Sequence, residues 1–495
     1  MMYGEEKSDS LIVAANLANN PQGAESVERR SGAKGNAEQP HMRRTQSRES
    51  MSQRLSRVRE AAKQRKKERF TALFHLLTAE ALENAFLSLS RKAAAGVDGV
   101  RWKDYAENLK VNIADLHRRL HQGSYRAQPG RRHYIPKADG KQRPLGIASL
   151  EDKIVQYALV KILNAVYEND FMGFSYGFRP GRSQHNALDA LATGLVRTNV
   201  NWVLDADISQ FFDKVSHEWL IRFIEHRIGD QRVIRLIRKW LTAGTSEEGE
   251  WRASEEGTPQ GAVISPLLAN IYLHYVFDLW AHQWRRRHAT GNVVMVRYAD
   301  DIVIGFDKRI DAQCFRIAMQ RRLKEFGLTV HPKKTRLMEF GRFAAENRAS
   351  RGKGKPETFN FLGFTHISGK DRSGRFMLIR KTRRDRMTAT LKAIKDGLRK
   401  RWHYSIPKQG KWLRRVVQGY LNYHSVPGNY PMMRKFRIYV TDLWRRALRR
   451  RSQQDDTTWT KANRLAAVWL PKVRVLHPWP VERFTARHPR QEPGA

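Results

Sequence analysis

Two short apolar runs, residues 293–296 and 302–304, lie on either side of residues 298–301, which read YADD. Extended segments joined this tightly predict a β-hairpin whose bend presents two adjacent carboxylates at a sheet edge. Upstream, residues 202–208 alternate at period two, so Asp205 and Asp207 share one face of a predicted strand. The pattern therefore predicts strands whose ends carry acidic side chains.

The rest of the chain divides by pattern into unlike segments. Residues 1–50 are rich in small and charged residues and poor in large apolar ones, which predicts disorder. Residues 51–70 predict a basic helix or arm. Helical runs such as residues 82–89 and 154–166 then alternate with short strands, which predicts an α+β fold. Near residue 370 the composition changes to basic helices that carry tryptophans, and we expect a domain boundary there.

The charge balance favours polyanionic partners. The chain has 495 residues and a formal charge of +42, from 91 Lys and Arg against 49 Asp and Glu. A generally basic surface would give the same total, but the excess is local. Residues 371–451 contain 24 Lys or Arg and four Asp. This clustering favours a nucleic-acid surface over a merely soluble one.

The single cysteine, Cys314, excludes an intramolecular disulfide framework and a paired-cysteine zinc site. We expect it to be a packing residue. No apolar run approaches the roughly 20 residues that span a bilayer, and no secretory signal pattern begins the chain. The sequence therefore predicts a cytoplasmic protein with no membrane partner.

The acidic pair at Asp300 and Asp301 has two interpretations. Taken alone it is compatible with a solvated turn, because Asp is a favoured turn residue. Asp205 and Asp207 are likewise compatible with charges that protect an edge strand. Their strand is so apolar, however, that it predicts a central position, where unpaired charge is costly. Clustered carboxylates are hard oxygen ligands, so the pattern favours a Mg²⁺ site.

The chain resembles a bacterial group II intron-encoded reverse transcriptase and maturase over nearly everything after residue 70. The resemblance rests on motifs that occur in the family's order. They are YIPK at 134–137, RPLG at 143–146, GFSYGFRPG at 173–181, DISQFF at 207–212, GTPQG at 257–261, ISPLLAN at 264–270, YADD at 298–301, Gly327-Leu328 leading to Lys334-Thr335, and FLGF at 361–364.

The resemblance implies a right-hand polymerase. Residues 71–370 would be the fingers and a palm with an antiparallel sheet. Residues 371–450 would be an α-helical thumb, the maturase domain X, and residues 451–495 a basic extension that contacts DNA. Asp207, Asp300 and Asp301 would be catalytic and would hold two Mg²⁺ ions roughly 3.5 to 4 Å apart.

The resemblance also implies binding roles for other residues. Nucleotide contacts fall on Lys137, Arg143, Phe212 and Gln260; primer and template contacts on Tyr298, Gly363 and Lys334; RNA contacts on Arg383, Arg384, Arg414 and Arg415. Simpler alternatives stay open: the fingers residues as surface cations, Phe212 as a core residue, and the basic helices as an amphipathic bundle with buried aromatic rings. Of the two adjacent rings, Phe211 is the better core candidate.

The predicted function is RNA-directed DNA synthesis together with intron binding that promotes splicing. The partners would be group II intron RNA, target DNA with its primer strand, and deoxynucleoside triphosphates, in a nucleoid-associated ribonucleoprotein; a homodimer is left open. Many relatives carry a C-terminal His-Asn-His nuclease with paired cysteines, which we expect to be absent here. Two alternatives are an RNA-binding splicing cofactor with little polymerase activity, and a domesticated reverse transcriptase of a defence or diversity-generating system.

Overall fold

The computed structural model describes residues 41–136, 142–247, 249–451 and 457–487. Helices and strands alternate irregularly through the first three quarters of the chain, and helices alone follow. In chain order the elements are α1 (His41–Gln64), α2 (Ala79–Ser88), α3 (Trp102–Glu107), α4 (Leu109–Gln122), β1 (Gly130–Pro136), β2 (Gln142–Ile147), α5 (Leu150–Tyr167), α6 (Gln184–Arg197), β3 (Trp202–Asp207), α7 (His217–Arg227), α8 (Gln231–Thr242), β4 (Thr245–Glu247), β5 (Glu250–Arg252), α9 (Ser265–Leu273), α10 (Leu279–His288), β6 (Val293–Tyr298), β7 (Asp301–Phe306), α11 (Arg309–Glu325), β8 (Arg336–Glu339), α12 (Ala344–Ala349), β9 (Phe359–Phe361), β10 (Phe364–Lys370), β11 (Phe376–Thr382), α13 (Arg384–Arg399), α14 (Ile406–His424), α15 (Tyr430–Arg449), α16 (Trp459–Trp469) and α17 (Pro480–Arg487). This mixture of sheets and helices confirms the α+β prediction.

A four-stranded antiparallel sheet with the order β6-β7-β3-β8 lies within the larger hydrophobic core. Strand β7 is buried from Ile302 to Phe306 because its apolar residues occupy both faces. Strand β3 pairs with β7 on one side and β8 on the other. It is therefore an interior strand, as its apolar alternation predicted.

Two smaller sheets accompany this arrangement. The order β2-β1-β4-β5 includes the long hairpin of β1 and β2, most of whose side chains are exposed or half-buried. In the sheet with the order β11-β10-β9, a tight turn joins β9 to β10. Phe361 pairs with Phe364, which leaves Leu362 and Gly363 as the two turn residues. Leu362 and Gly363 both have positive φ, 43° and 79°. Two such residues in succession are what a two-residue hairpin turn requires.

Helix α1 extends the predicted basic arm towards the N-terminus. It begins at His41, within the segment predicted to be disordered, and residues 1–40 lie outside the described part of the chain. No Gly or Pro occurs between residues 41 and 64, so nothing in the sequence stops the helix at Met51. Ala62 is fully buried in the larger core, and Leu55 and Val58 pack against it. Burial of this apolar stripe attaches the helix to the core.

The change from strands to helices occurs at Arg384 and not near residue 370. Residue 370 lies at the end of β10, whose antiparallel pairing with β11 runs from Phe364↔Thr382 to Lys370↔Phe376. Composition indicated the rise in basic residues near residue 370. It did not indicate that strand pairing continues beyond that point, to Thr382. From Arg384 onward, helices α13 to α16 enclose a second hydrophobic core, which includes Leu413, Phe436 and Trp444.

The last described segment returns to the larger core. Helix α16 packs into the second core through Ala466, but Phe484 of α17 is buried in the first. Arg483 donates to Asp189 on α6, and both groups are largely buried. Backbone N–H groups of Leu476 and His477 donate to the Ser425 carbonyl at 3.0 and 3.1 Å. Residues 471–487 therefore join the two cores, while the predicted DNA contact of this segment stays a prediction.

Cys314 is exposed on α11, so its predicted packing role is wrong. It lies next to the buried face of that helix, formed by Ala312 and Phe315, but points away from it.

Among the described residues, none of the helices combines the length and apolar character that a bilayer crossing requires.

Candidate active site

The predicted acidic hairpin is present. Strands β6 and β7 pair in antiparallel register up to Tyr298↔Asp301, which leaves Ala299 and Asp300 as the two turn residues. Ala299 has φ 56° and is buried. The left-handed conformation costs an L-residue with a Cβ about 1–2 kcal/mol, so contacts around the turn must hold it. The turn is thus a fixed, strained feature of the sheet edge.

Asp207 lies next to this turn, on the strand that neighbours β7. It is the last residue of β3, and the register pairs it with Asp301 of β7. Two residues earlier on the same face, Asp205 pairs with Val303. The structure therefore brings Asp207 to the adjacent pair Asp300 and Asp301, which follows it by 93 residues in the sequence.

Burial and mutual repulsion raise the pKa of three carboxyl groups here, those of Asp205, Asp300 and Asp301. Burial raises the pKa of Asp301 to about 7, and the carboxylates of Asp300, Asp207 and Asp205 add to the increase. Burial also raises the pKa of Asp205, to about 6, with Arg336 opposing and Asp207 adding. The pKa of Asp300 is shifted in the same direction, by burial above all. The ionised form of these carboxyl groups is therefore disfavoured, and a nearby cation would stabilise it.

Lys334 supplies one positive charge at this site. Its Nζ donates to Asp207 Oδ2 at 2.8 Å, and this bond is the main reason that the pKa of Lys334 is raised. The preceding loop follows the end of β3, because His331 N donates to the Asp207 carbonyl at 2.7 Å. Within the described ranges, no three His, Cys, Asp or Glu side chains already form a metal-binding group. The ammonium of Lys334 takes part of the charge-balancing role.

Of the residues predicted to contact a nucleotide, Phe212 lies on a short 3₁₀ turn, Gln260 on a loop and Arg143 on a strand. Gln260 Nε2 donates to Asp213 Oδ1 at 2.8 Å, directly after Phe212, and Gly146 N donates to the Gln260 carbonyl at 2.7 Å. Arg143 is exposed on β2 and close enough to oppose the rise in the pKa of Asp300 that burial causes. Lys137 lies outside the described residues.

The two adjacent phenylalanines differ in burial, as predicted. Phe211 is 2% exposed in the larger core, and Phe212 is only half-buried. Their rings meet edge to face with centroids 5.4 Å apart. Phe211 therefore supports Phe212, which precedes the aspartate that holds the Gln260 side chain.

Tyr298 and Gly363 are joined to helical segments through residues that sequence reasoning missed. Burial raises the pKa of Tyr298, which hydrogen-bonds Gln184. Tyr423 OH donates to the Leu362 carbonyl at 2.8 Å, beside Gly363. Nothing in the local pattern distinguishes Tyr423 from the other aromatic residues of α14, so only the packing identifies it.

The predicted RNA-binding arginines lie along α13 and α14. Arg384, Arg414 and Arg415 are solvent-accessible, and Arg383 pairs with Asp385 at 2.7 Å. A shallow groove between the β9–β10 hairpin and α13 is lined by Asn360, Thr365, Arg383, Arg384, Asp385, Thr388, Ala389 and Lys392. Cations thus line an open surface, while Trp444 and Tyr420 are buried in the second core.

Known proteins share the part of the chain that contains this site. Residues 135–366 match the family described as reverse transcriptase (RNA-dependent DNA polymerase). The matched segment includes all three carboxylates. Residues 135–366 are therefore similar to a reverse transcriptase domain.

Two of three individual relatives have names that refer to introns. The chain is 43% identical to protein YkfC of Escherichia coli K12 over 206 residues, 41% of this chain and 54% of that protein. It is 37% identical to the group II intron-encoded protein LtrA of Lactococcus lactis over 223 residues, 44% of this chain and 37% of that protein. It is 29% identical to the mitochondrial nuclear intron maturase 2 of Arabidopsis thaliana over 110 residues, 21% and 15% of the two chains.

The matched regions span about half or less of these relatives' own lengths. The resemblance of the reverse transcriptase domain to group II intron-encoded proteins is nevertheless confirmed, by the family match and by the names of these relatives.

Proposed function

We propose that this protein is an RNA-directed DNA polymerase of the group II intron type, which copies RNA into DNA and binds intron RNA as a maturase. One observation carries the polymerase proposal. Within the segment that matches a reverse transcriptase domain, Asp207 is paired in register with Asp301, beside the turn of Ala299 and Asp300 in which Ala299 is strained. Residues 71–370 then act as fingers and palm, and the helices from Arg384 as the thumb and domain X.

The donor set fits Mg²⁺. Three carboxylates offer only oxygen ligands. Burial above all, and the neighbouring carboxylates after it, raise the pKa of Asp301, and a divalent cation would stabilise its ionised form. Lys334 is 63% exposed, so its ammonium can move away and leave both Asp207 oxygens free. When bound, two Mg²⁺ ions would lower the pKa of the primer 3′-hydroxyl and compensate the charge of the departing pyrophosphate.

The protein's own residues would position the reacting groups. Arg143, exposed on β2, is suited to a triphosphate because guanidinium can donate paired hydrogen bonds. Gln260 is held by Asp213 and by its backbone contact with Gly146. These contacts would keep its loop next to the bound nucleotide. Tyr298 and Gly363 would contact the primer end. Lys137 would join Arg143 at the phosphates.

Primer extension on an RNA template tests the polymerase proposal. With Mg²⁺ and deoxynucleotides, the native chain is expected to synthesise DNA and the Asp300→Ala variant to synthesise none above background. Synthesis that is equally fast in both would refute the site. No synthesis by the native chain, together with tight intron RNA binding, would favour the second candidate, an RNA-binding splicing cofactor. The exposed basic surface of α13 and α14 is what supports that alternative.

Phe212 is expected to select deoxynucleotides. Its half-buried ring, supported by Phe211, would lie against the sugar and exclude a 2′-hydroxyl by bulk. Phe212→Ala should raise the relative rate of ribonucleotide incorporation by about 10- to 100-fold, the range that steric pocket discrimination supplies. Single-nucleotide incorporation with paired dNTP and rNTP measures the ratio. Phe343→Ala, at an exposed position, should leave it unchanged.

Intron RNA binding should depend on salt through Arg414 and Arg415. Removing one arginine that contacts a phosphate should reduce the slope of log K against log salt concentration by about one. The double alanine variant is therefore expected to bind intron RNA with a shallower salt dependence, measured by filter binding. Arg321→Ala, which removes an exposed arginine from α11, serves as the control. Identical slopes in all three proteins would exclude these two arginines from the RNA interface.

A further inference from the structure

Behind the acidic turn, the guanidinium of Arg297 is completely buried. Arg297 and its partner Asp278 are both 0% exposed. Arg297 Nε donates to Asp278 Oδ1 at 2.7 Å, and Nη2 donates to Asp278 Oδ2 to complete a paired contact. A buried ion pair rarely adds net stability over apolar packing, so its effect on geometry is the more informative one.

The remaining donors of the guanidinium reach the turn itself and two other segments. Nη1 donates to the Ala299 carbonyl at 3.0 Å and to Asn270 Oδ1 at 3.1 Å, and Nη2 donates to Ser175 Oγ at 2.7 Å. All five guanidinium N–H groups are therefore used. One of these bonds holds the peptide that links Ala299 to Asp300.

The 173–181 loop, which contains one of the motifs of the sequence, is packed against the same turn. Asn270 Nδ2 donates to the Gly177 carbonyl at 2.7 Å, and Arg297 N donates to the Phe174 carbonyl at 2.9 Å. A Cβ at Gly177 would lie 2.3 Å from Ala299 N, so only glycine allows this approach. The loop therefore touches the turn directly and is held to it by Asn270.

Asp278 reaches Arg297 from an irregular helix. Residues His274–Asp278 form a π-helical turn between α9 and α10. Such turns insert an extra residue into a helix and occur often at functional sites. Here the turn ends on the residue that pairs with Arg297, while Asn270 on α9 holds both Arg297 and the 173–181 loop.

We propose that Arg297 is a positioning residue that keeps Ala299 in its left-handed conformation and so directs Asp300 and Asp301 towards Asp207. Ser175, Asn270 and Asp278 orient the guanidinium. The proposal rests on the proposed polymerase function for its effect on rate. Its effect on the geometry of the turn does not depend on that function.

Arg297→Lys tests the proposal, and Arg227→Lys is its matched control. Arg227 is also a buried arginine, paired with Asp170 at 2.8 Å and with the carbonyls of Arg65 and Ala62 at 2.7 and 3.0 Å. Lysine keeps the charge at both positions but removes the planar set of donors. Both variants should lose thermal stability, which makes stability alone uninformative.

Of the two lysine variants, only Arg297→Lys is expected to alter the turn and the catalytic rate. The kcat for deoxynucleotide incorporation should fall about 10- to 100-fold, with the KM for dNTP within about threefold of native. Amide hydrogen exchange of the peptide that covers residues 293–306 should become faster in this variant and not in Arg227→Lys. Ser175→Ala, which removes one acceptor, should shift both readings in the same direction by a smaller amount and covers the case in which the lysine variant fails to fold.

Two results would overturn the proposal: equal losses of kcat in the two lysine variants, or native exchange of residues 293–306 in folded Arg297→Lys. For Ser175→Ala, native values of both readings would count against it. If the native chain synthesises no DNA, the proposed function fails, and hydrogen exchange alone still decides whether Arg297 holds the turn.

Discussion

Replacing Asp207 with asparagine should abolish nearly all DNA synthesis while leaving the fold intact. The amide matches the carboxylate in shape but carries no charge, so it cannot hold a divalent cation opposite Asp301. Loss of one such electrostatic group costs about 10³-fold in rate. Asp207 pairs with Lys334, whose side chain is 63% exposed, so removing this ion pair should cost at most about 1 kcal/mol of stability.

Single-turnover primer extension with saturating dNTP measures this effect directly. Asp311→Asn is the matched control, since Asp311 is a buried structural carboxylate that accepts from Thr290 N at 2.9 Å and Gly291 N at 3.0 Å. That variant should unfold at a lower temperature but extend primers at nearly the native rate per folded molecule. Native rates in Asp207→Asn would remove Asp207 from the active site.

Trp444→Ala should produce the largest loss of stability in the helical part of the chain. Trp444 is 1% exposed in the second core, and its indole N–H donates to Gln409 Oε1 at 2.9 Å. Truncating a buried tryptophan costs about 3–5 kcal/mol through reduced burial and the cavity left behind. The buried Gln409 amide oxygen would also be left without this donor, which costs about 1–3 kcal/mol more.

Hydrogen exchange of α14 and α15 measures this destabilisation in the region where it arises. The loss of protection should concentrate there because the two hydrophobic cores are separate clusters. They are connected through the β9–β10 hairpin, which Tyr423 contacts, and through residues 471–487. Trp459→Ala is the control, since that ring is 45% exposed at the start of α16. Equal protection losses in the two variants would mean that Trp444 does not organise this core.

Part of the candidate site could be predicted because local patterns identify it. Period-two alternation placed Asp205 and Asp207 on one face of a strand, and the apolar runs beside residues 298–301 predicted the hairpin. Both are present. Phe211 was likewise predicted to be the better core candidate of the pair, although the two rings lie on a short 3₁₀ turn, Phe211–Asp213, where strand alternation does not apply.

Other parts of the site could not be predicted because they depend on long-range packing. Arg297 is unusual as a charged residue within an apolar strand, so its position alone indicates a specific partner. The sequence does not indicate which, because the partners Ser175, Asn270 and Asp278 lie on separate segments. Tyr423 reaches Leu362 from a helix that composition assigned to a different domain. The predicted packing role of Cys314 was wrong because this residue lies beside the buried face of α11 and not on it.

The sequence by itself determined which segments form strands, which faces carry carboxylates, and which family the motifs resemble, because these depend on the order and spacing of neighbouring side chains. Only the tertiary structure decided that Asp207 pairs with Asp301, that Lys334 binds Asp207, and that the chain returns at Arg483 to its first core. The physical reason is that alternation states which face of a strand is buried but not which strand lies beside it. That choice depends on the packing of the whole core.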